Sequence, residues 1–442
     1  MKIQQFVAES LGDASYLLVS GSEAAVIDPQ RDIEPFVKMA TAHGATIRYV
    51  VETHVHNDYV SGGRELAALG AEVLAPAASG LEFPHRPMPD GAVLSVGDAR
   101  IVAVRAPGHT YEHTAYLAQD PGGVTHGAFT GGALLMGAVG RTDLLGPGHT
   151  EQLTRLQWET ARHLRQLVPV AADVLPTHGA GSFCSTTGTD LGRCGPMAAE
   201  LQRNPALSSA TFELFRDIQL GSVAPIPGYY RHMAPLNRKG PRVFGAVPRP
   251  PALDLRQFDA LGPDVYRVDV RARQDYAARH LPATLEIEES NSFLAYAGWL
   301  IPFNAPIALV SYDAAQAQRV TTDLFRIGYE DVRGFIAAST IEPPASLHTV
   351  GVREAADMIR AGSLPVLDVR YTQEHRDLPI PGARQLPFDE IQVWAQEIEA
   401  GPVLVVCASG QRSTMAASYL RRHGIQAIPL IEGGAAELLP LL

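Results

Sequence analysis

The segment Thr53-His54-Val55-His56-Asn57-Asp58-Tyr59 follows a β-branched run, Ile47-Arg48-Tyr49-Val50-Val51-Glu52, and this order constrains the chain more than any other feature. Alternate residues of a strand point to the same face, so His54 and His56 emerge together at a strand's end, with Asp58 two positions further on. Imidazoles grouped in this way beside a carboxylate read as a metal site, and imidazole nitrogen suits zinc and iron alike. Strand-like runs at 16–19, 24–28, 47–52 and 100–105 alternate with polar turns and helical stretches up to about residue 240. That is the pattern of a layered α/β domain.

At 442 residues the chain is too long for one ordinary core, and proline- and glycine-rich stretches at 237–255 and 339–348 read as linkers. Three domains are expected, at 1–240, 252–340 and 346–442. The last two form a degenerate repeat. Pro306-Ile307-Ala308-Leu309-Val310-Ser311 aligns without gaps on Pro402-Val403-Leu404-Val405-Val406-Cys407, Leu324 on Leu420 and Gly328 on Gly424. Upstream, each copy carries Asp-Val-Arg, at 269–271 and at 368–370. Each copy reads as strand, loop and helix in a small parallel-sheet domain.

In the last copy a lone cysteine ends an apolar strand and stands directly before a helix, in Cys407-Ala408-Ser409-Gly410-Gln411-Arg412-Ser413. Backbone N–H groups of such a loop, with the helix N-terminus, favour a thiolate that can attack a sulfur donor. Arg412 adds a cation, and Cys407 and Arg412 are the expected catalytic pair, with Ser409 and Gly410 lining the substrate. In the middle copy Ser311 stands at the cysteine position and Gln316 at the arginine position. A serine hydroxyl is no substitute for the thiolate, so this copy is expected to be inactive. Its apolar run at 293–303 is too short to span a bilayer and reads as packing against a neighbouring domain or subunit.

The C-x-x-G-x-R-S loop, with Asp368-Val369-Arg370 and the Ile380-Pro381-Gly382 turn, resembles the rhodanese family over 346–442. The ordered set of His54-x-His56-x-Asp58, Pro107-Gly108-His109, the run "FTGGALLMGAVGRTD" from 129 to 143, and Pro176-Thr177-His178 resembles the metallo-β-lactamase fold over most of 1–240. More narrowly, it looks like the persulfide dioxygenase branch, and the whole chain is similar to persulfide dioxygenase/sulfurtransferase fusions. The resemblance implies an α/β chain, an αββα sandwich followed by two rhodanese-like parallel-sheet domains. It also implies a mononuclear metal, iron(II) first and zinc(II) as the alternative, that oxidises glutathione or another small persulfide to sulfite, with sulfane sulfur carried on Cys407.

Two positions depart from the pattern. Tyr59 stands where the family usually has a second-site histidine, and Gly132 where it has the aspartate that completes the metal's ligand set. Strict carry-over leaves His54 and His109. A set of His54, His56 and His109 with one open position repairs the loss, with Asp58, His178 or Asp143 contributing directly or through water. Arg141 either holds a substrate carboxylate or braces its loop against Asp143. His113 reads as support for the site, and Cys184 as a buried filler. Two other readings of the first domain are a metal-dependent hydrolase of glutathione thioesters, as in glyoxalase II relatives, and a metal-free platform that delivers persulfide to Cys407.

The net charge of −11 and the absence of basic runs argue against nucleic acid and anionic membranes as partners, which leaves small persulfides and thiols. Three cysteines are too few for a disulfide scaffold and fit a reducing compartment, with the cytoplasm as the default. The first residues lack the apolar core of a signal peptide. A homo-oligomer is expected.

Overall fold

A computed structural model describes residues 1–179, 181–185, 192–221, 223–342, 344–399 and 401–442. The chain divides into two compact units, one of Met1–Pro225, Tyr230–Val247 and Phe325–Gly328, the other of Ile226–Tyr229, Pro248–Leu324 and Tyr329–Leu442.

Unit one stacks two six-stranded sheets. The first runs in chain order through Lys2–Ala8, Asp13–Ser20, Glu23–Ile27, Thr46–Val51, Glu72–Pro76 and Arg86–Met88. The second runs in reverse chain order from Gly195–Pro196 through Asp173–Pro176, Thr125–Gly131, Thr114–Gln119 and Ala99–Arg105 to Val93–Val96. Tyr16, Leu18, Ile27, Val51 and Leu74 of the first sheet meet Val96, Ile101, Tyr116, Phe129 and Leu175 of the second in the central core. Helices Glu34–Ala42 and Gly63–Ala68 bury the outer face of the first sheet. Every residue of Asp13–Ser20 is buried, as a strand covered on both faces requires.

Helix Pro147–Leu167 covers the outer face of the second sheet. Proline at its start presets the helical φ, and Leu153, Thr154, Gln157, Thr160, Ala161 and Leu164 recur at helical spacing as its buried stripe. The αββα sandwich expected from sequence is thus the architecture of unit one. It brings four strand ends together, after Val51, Arg105, Gly131 and Pro176, and these carry the site.

Unit two contains two four-stranded parallel sheets of identical connectivity. One orders Leu285–Glu286, Tyr266–Asp269, Ile307–Ser311 and Val332–Ala337; the other orders Ala383–Gln385, Val366–Asp368, Pro402–Val406 and Gln426–Pro429. The repeat extends to single hydrogen bonds. Arg271 grips Asp269 at 2.9 and 2.7 Å and donates to Arg279 O at 2.7 Å. Arg370 grips Asp368 at 2.9 and 2.6 Å and donates to Leu378 O at 2.7 Å.

Helix Phe293–Leu300, apolar on all sides, is buried along its whole length, as such a helix must be. Its Tyr296 and Trp299 rings pack on Phe388 at centroid distances of 5.4 and 6.2 Å, so the run seats the middle copy on the Cys407 copy. No helix among the described residues is long and apolar enough to cross a membrane.

Part of the stretch at 237–255 is docked rather than loose. Arg64 donates to Gly240 O and Pro241 O at 3.1 and 2.9 Å, and the Glu65 carboxylate accepts from Phe244 N and Gly245 N at 2.9 and 2.8 Å. Proline and glycine mark an irregular path here, but the backbone groups along that path have partners on unit one.

Candidate metal centre and thiol loop

Among the described residues, His54, His109 and His178 each offer one ring nitrogen within 4.8 Å of the other two. All three rings are buried, and His54 Nε2 lies 3.3 Å from His178 Nε2. Their outer nitrogens, Nδ1, each face an acceptor. His54 Nδ1 is 2.8 Å from Thr53 Oγ1, a hydroxyl that itself donates to Asp28 Oδ2 and so accepts from the ring. His109 Nδ1 donates to Arg141 O at 2.8 Å, and His178 Nδ1 to Asp13 Oδ1 at 2.9 Å. Each ring therefore holds a hydrogen on Nδ1 and turns Nε2 to the centre. A histidine that binds metal is held in just this way, by an acceptor on its far nitrogen.

His56 faces the other way. Its Nε2 is 3.2 Å from Glu52 Oε2, 3.3 Å from Asp28 Oδ1 and 3.1 Å from the Tyr59 hydroxyl. Two buried carboxylates thus claim Nε2 and leave Nδ1 without a hydrogen-bond partner among the described residues. The expected trio of His54, His56 and His109 accordingly becomes His54, His109 and His178 in the structure. His56 groups instead with Asp58 and His178, and with Asp28 and His54.

The electrostatics sort the rings. Burial and the neighbouring imidazoles push His54 well below its ordinary value, and burial with His178 takes His109 down to about 3. Burial opposes charge on His178 too, but Asp58 and Asp13 outweigh it and raise this ring to about 10. Burial likewise opposes charge on His56, and Asp28 and Glu52 prevail. Burial and Asp58 raise Asp13 to about 7, whereas His178 outweighs burial at Asp58 and holds it low.

The donor set fits a metal cation. His109 Nε2, His56 Nδ1 and both Asp58 carboxylate oxygens are buried without hydrogen bonds among the described residues. Asp58 Oδ2 lies 3.1 Å from His178 Nδ1, an ionic contact, since that N–H is directed at Asp13. Buried polar atoms left in this state are costly, and a cation placed among them supplies what they lack.

Gly132 is more than a missing ligand. A Cβ built there would stand 2.5 Å from His109 Cδ2 and 2.6 Å from Cγ, while one at Gly140 would stand 2.7 Å from His109 Nδ1. The imidazole lies between two glycines, in space a carboxylate at 132 would need. Gly132 N donates to His113 Nε2 at 3.0 Å, which uses that ring's lone pair and gives His113 the supporting place read from sequence. Tyr59 is held by its hydroxyl, which donates to Asp28 O at 3.1 Å.

Of the two readings of Arg141, bracing is the one realised. The guanidinium pairs with Asp143 through two bonds of 2.7 Å and donates to Phe183 O at 3.0 Å, and the side chain is buried. Asp143 is therefore tied to Arg141 and stands apart from the imidazole groups. Cys184 is buried 3.9 Å from the Tyr230 hydroxyl, and burial with Asp58 pushes its thiol well up.

Sequence reasoning missed Asp13, Asp28, Glu52 and Thr53. Asp28 left a local signal, since it ends the apolar strand Glu23–Ile27, precedes a proline and has a φ of 49°. Asp13 left none, because the residue it serves is 165 positions away.

In unit two, strand Pro402–Val406 delivers Cys407 to a loop that closes at Gly410, whose φ is 89°. A Cβ at Gly410 would collide with Ile431 O, so the left-handed turn and the close approach both require glycine. Gly410 N donates to Cys407 Sγ at 3.2 Å, and Ser413 Oγ lies 3.4 Å from the sulfur, which is only 1% exposed. Ser409 is exposed, and its carbonyl accepts from Arg273 Nη2 at 3.4 Å.

Arg412 pairs with Glu374 at 2.6 and 2.7 Å and stacks 4.5 Å from the Tyr371 ring. Its charge is thus balanced by a carboxylate, which sequence alone did not indicate. In the middle copy Ser311 Oγ donates to Asp313 O at 2.9 Å, and Gln316 Nε2 donates to Val270 O at 3.0 Å.

These ion pairs predict a pH dependence. Burial opposes charge on Glu374 and Asp368, but Arg412 for the first, and Arg370 with His375 for the second, hold both carboxyls below their ordinary values. A depressed carboxyl contributes stability above its unfolded value, about 4 for these groups, and loses it as pH falls through the folded value. The urea midpoint of unit two, followed through Trp299 and Trp394, should therefore drop between about pH 5 and pH 3. Glu374→Gln should lower the midpoint at pH 7 and flatten that slope; an unchanged slope would assign the acid sensitivity to other groups.

The Rhodanese-like domain family matches residues 351–439. The hydroxyacylglutathione hydrolase of Methylobacillus flagellatus is 38% identical over 104 residues, 23% of this chain and 41% of that protein. That of Rhodospirillum rubrum is 32% identical over 146 residues, 32% of this chain and 52% of that protein. The chain thus spans about half the length of the curated relatives it matches. A metallo-beta-lactamase from Staphylococcus aureus subsp. aureus COL aligns with a TM-score of 0.69 and 26% identity, over 78% of this chain and 99% of that one. ETHE1 from Myxococcus xanthus aligns with a TM-score of 0.46 and 24% identity, over 54% of this chain and 98% of that one.

Proposed function

We propose that this chain, which joins a metallo-β-lactamase fold to a C-terminal rhodanese-like domain, oxidises a small persulfide in its first domain (1–240) and transfers sulfane sulfur through Cys407 in its last (346–442). The middle copy (252–340) has no sulfur chemistry of its own. One observation carries the reading: a convergent histidine set and a cysteine loop whose backbone N–H faces the sulfur occur in one polypeptide. Fold alone would leave the chemistry of the first domain open.

In the first domain His54, His109 and His178 would hold the metal, with His56 and Asp58 beside them. When bound, a redox-active ion such as iron(II) supplies the electron path by which dioxygen reacts with sulfur, whereas zinc(II) would polarise a carbonyl or a water. The net reaction is R–S–SH + O2 + H2O → R–SH + sulfite + two protons, with the outer sulfur oxidised and dioxygen reduced. The chain's own residues fix the rings: Thr53, Arg141 O and Asp13 hold the imidazole tautomers, while Arg141 and Asp143 brace the strand end beside His109.

In the last domain the Cys407 thiolate attacks the outer sulfur of a donor such as thiosulfate. The donor S–S bond breaks with its electron pair on the departing sulfite, and Cys407 is left as a persulfide. A thiol or cyanide then takes the outer sulfur, and the thiolate returns. The Gly410 N–H, 3.2 Å from Sγ, is placed to stabilise the negative charge of the thiolate. We place this chemistry in the cytoplasm, with small thiols as its partners.

The sequence match to hydroxyacylglutathione hydrolases favours a second reading for the first domain, hydrolysis of a glutathione thioester. Its two-metal form is opposed by Tyr59, locked on Asp28 O, and by Gly132. One experiment separates them. Iron- and zinc-loaded protein is given glutathione persulfide, with oxygen uptake and sulfite recorded, and then a glutathione thioester. Oxygen uptake matched by sulfite is expected; thioester loss without oxygen uptake would replace the oxidative reading with the hydrolytic one.

A further inference from the structure

Residues 52–62 carry His54, His56 and Asp58, yet apart from a bridge between Gln30 and Ser61 they belong to no strand or helix. Their buried backbone groups need partners from elsewhere. One side chain supplies three. Asn237, buried near the end of helix Tyr230–Lys239, donates from Nδ2 to His56 O at 3.0 Å and to Tyr59 O at 2.8 Å. Its Oδ1 accepts from Ser61 N at 2.9 Å. These bonds use both amide hydrogens and grip the chain on either side of Asp58.

The helix end that carries Asn237 is itself held. The segment after it is tied down by Arg64 and Glu65, and Arg31 Nη2 donates to Arg242 O at 2.8 Å. On the other flank, Val55 N donates to Glu112 Oε1 at 3.1 Å. The ligand-bearing loop is thus clamped by side chains that lie far from it in sequence.

We propose that Asn237 is a positioning residue of the metal centre: it fixes the loop bearing His54, His56 and Asp58, and so sets how tightly the centre retains a divalent cation. The proposal rests on reading the histidine set as a metal site. Only an amide meets the need, since one atom must accept while the other donates twice. Aspartate at this position would turn an acceptor toward the two carbonyl oxygens, and serine is too short to span three partners.

The test uses the full chain as wild type, Asn237→Asp and Asn237→Ser, each stripped with chelator and loaded with cobalt(II). Release of cobalt to excess chelator is followed by absorption, with Cys407 sulfurtransfer in the other unit as the folding control. Release is expected to be about 10-fold or more faster in both variants, the scale on which groups behind a ligand act. The rise in melting temperature on cobalt binding should also be smaller. Hydrogen exchange on the metal-free proteins adds a readout that needs no ion: amides within 57–62 should lose protection while the rest of unit one keeps it.

Wild-type release rates and wild-type loop protection in both variants would overturn the proposal. Should Asn237→Asp fail to fold, Asn237→Ser decides by the same two readings. A wild type that takes up no cobalt would remove the metal reading and this inference with it, a result distinct from equal retention by all three proteins.

Discussion

Replacing Cys407 with serine should abolish thiosulfate:cyanide sulfurtransfer, a loss of about 10^3-fold or more, as expected when a covalent nucleophile is removed. A hydroxyl cannot hold sulfane sulfur, and the Gly410 N–H would then have no thiolate to stabilise. The variant should fold, because the middle copy already builds the same strand and sheet around Ser311, at the aligned position. Metal content and any oxygen uptake by the first domain should stay at the wild-type level. Loss of both activities would show that the two chemistries share a site.

The converse change, Ser311→Cys, should gain no transfer activity. Ala314 stands where the other copy has Gly410, and it begins helix Ala314–Arg326 rather than a left-handed turn. Gln316 replaces the arginine, and its amide is engaged by Val270 O and Glu289.

Gly132→Asp, which places an acid where the resembled pattern carries one, should damage the centre rather than complete it. The new Cβ alone would stand 2.5 Å from His109 Cδ2, and His109 is pinned from behind by Arg141 O and flanked by Gly140. The ring cannot give way without losing that bond. Overpacking of this kind costs about 1 to 3 kcal/mol, and the buried carboxylate adds to it unless an ion pairs it. Thermal melting of the metal-free variant should fall, and metal retained after dialysis should drop below wild type. A variant that gains metal and keeps its melting temperature would mean that the His109 ring yields easily and that the acid-containing site is latent in this fold.

Much of this was legible in the residues. His54 and His56 follow a strand, as the β-branched run from Ile47 indicated, and His54 enters the histidine trio while His56 groups with Asp28 and with Asp58 beside it. The internal repeat predicted two sheets of one design, and the shared strand order and the matched Asp269–Arg271 and Asp368–Arg370 pairs bear it out. The Cys407 loop was readable because glycine at 410 and a helix directly after it are local requirements.

What was hidden depends on residues distant in sequence. Whether His56 or His178 joins His54 and His109 turns on Asp28 and Glu52, which draw His56 Nε2 away, and on Asp13, which orients His178 from another strand. Arg412 read as a free cation and proved to be Glu374's partner. Arg141 offered two readings, a substrate carboxylate or Asp143, and its guanidinium pairs with Asp143 and donates to Phe183 O. For His56, His178 and Arg412 the ionisable group was visible in the sequence but its partner was not.

The layered α/β architecture, the duplicated parallel sheets and the types of reactive group follow from the residues, because strand and helix periodicities and turn requirements act over a few positions. Packing across the fold sets which imidazoles turn Nε2 to one another, puts the His109 ring in the space beside Gly132, and brings Asn237 onto the loop at His56, Tyr59 and Ser61. Those outcomes depend on sub-ångström packing and on competition for buried hydrogen bonds between strands far apart in the chain, and no local pattern of residues encodes them.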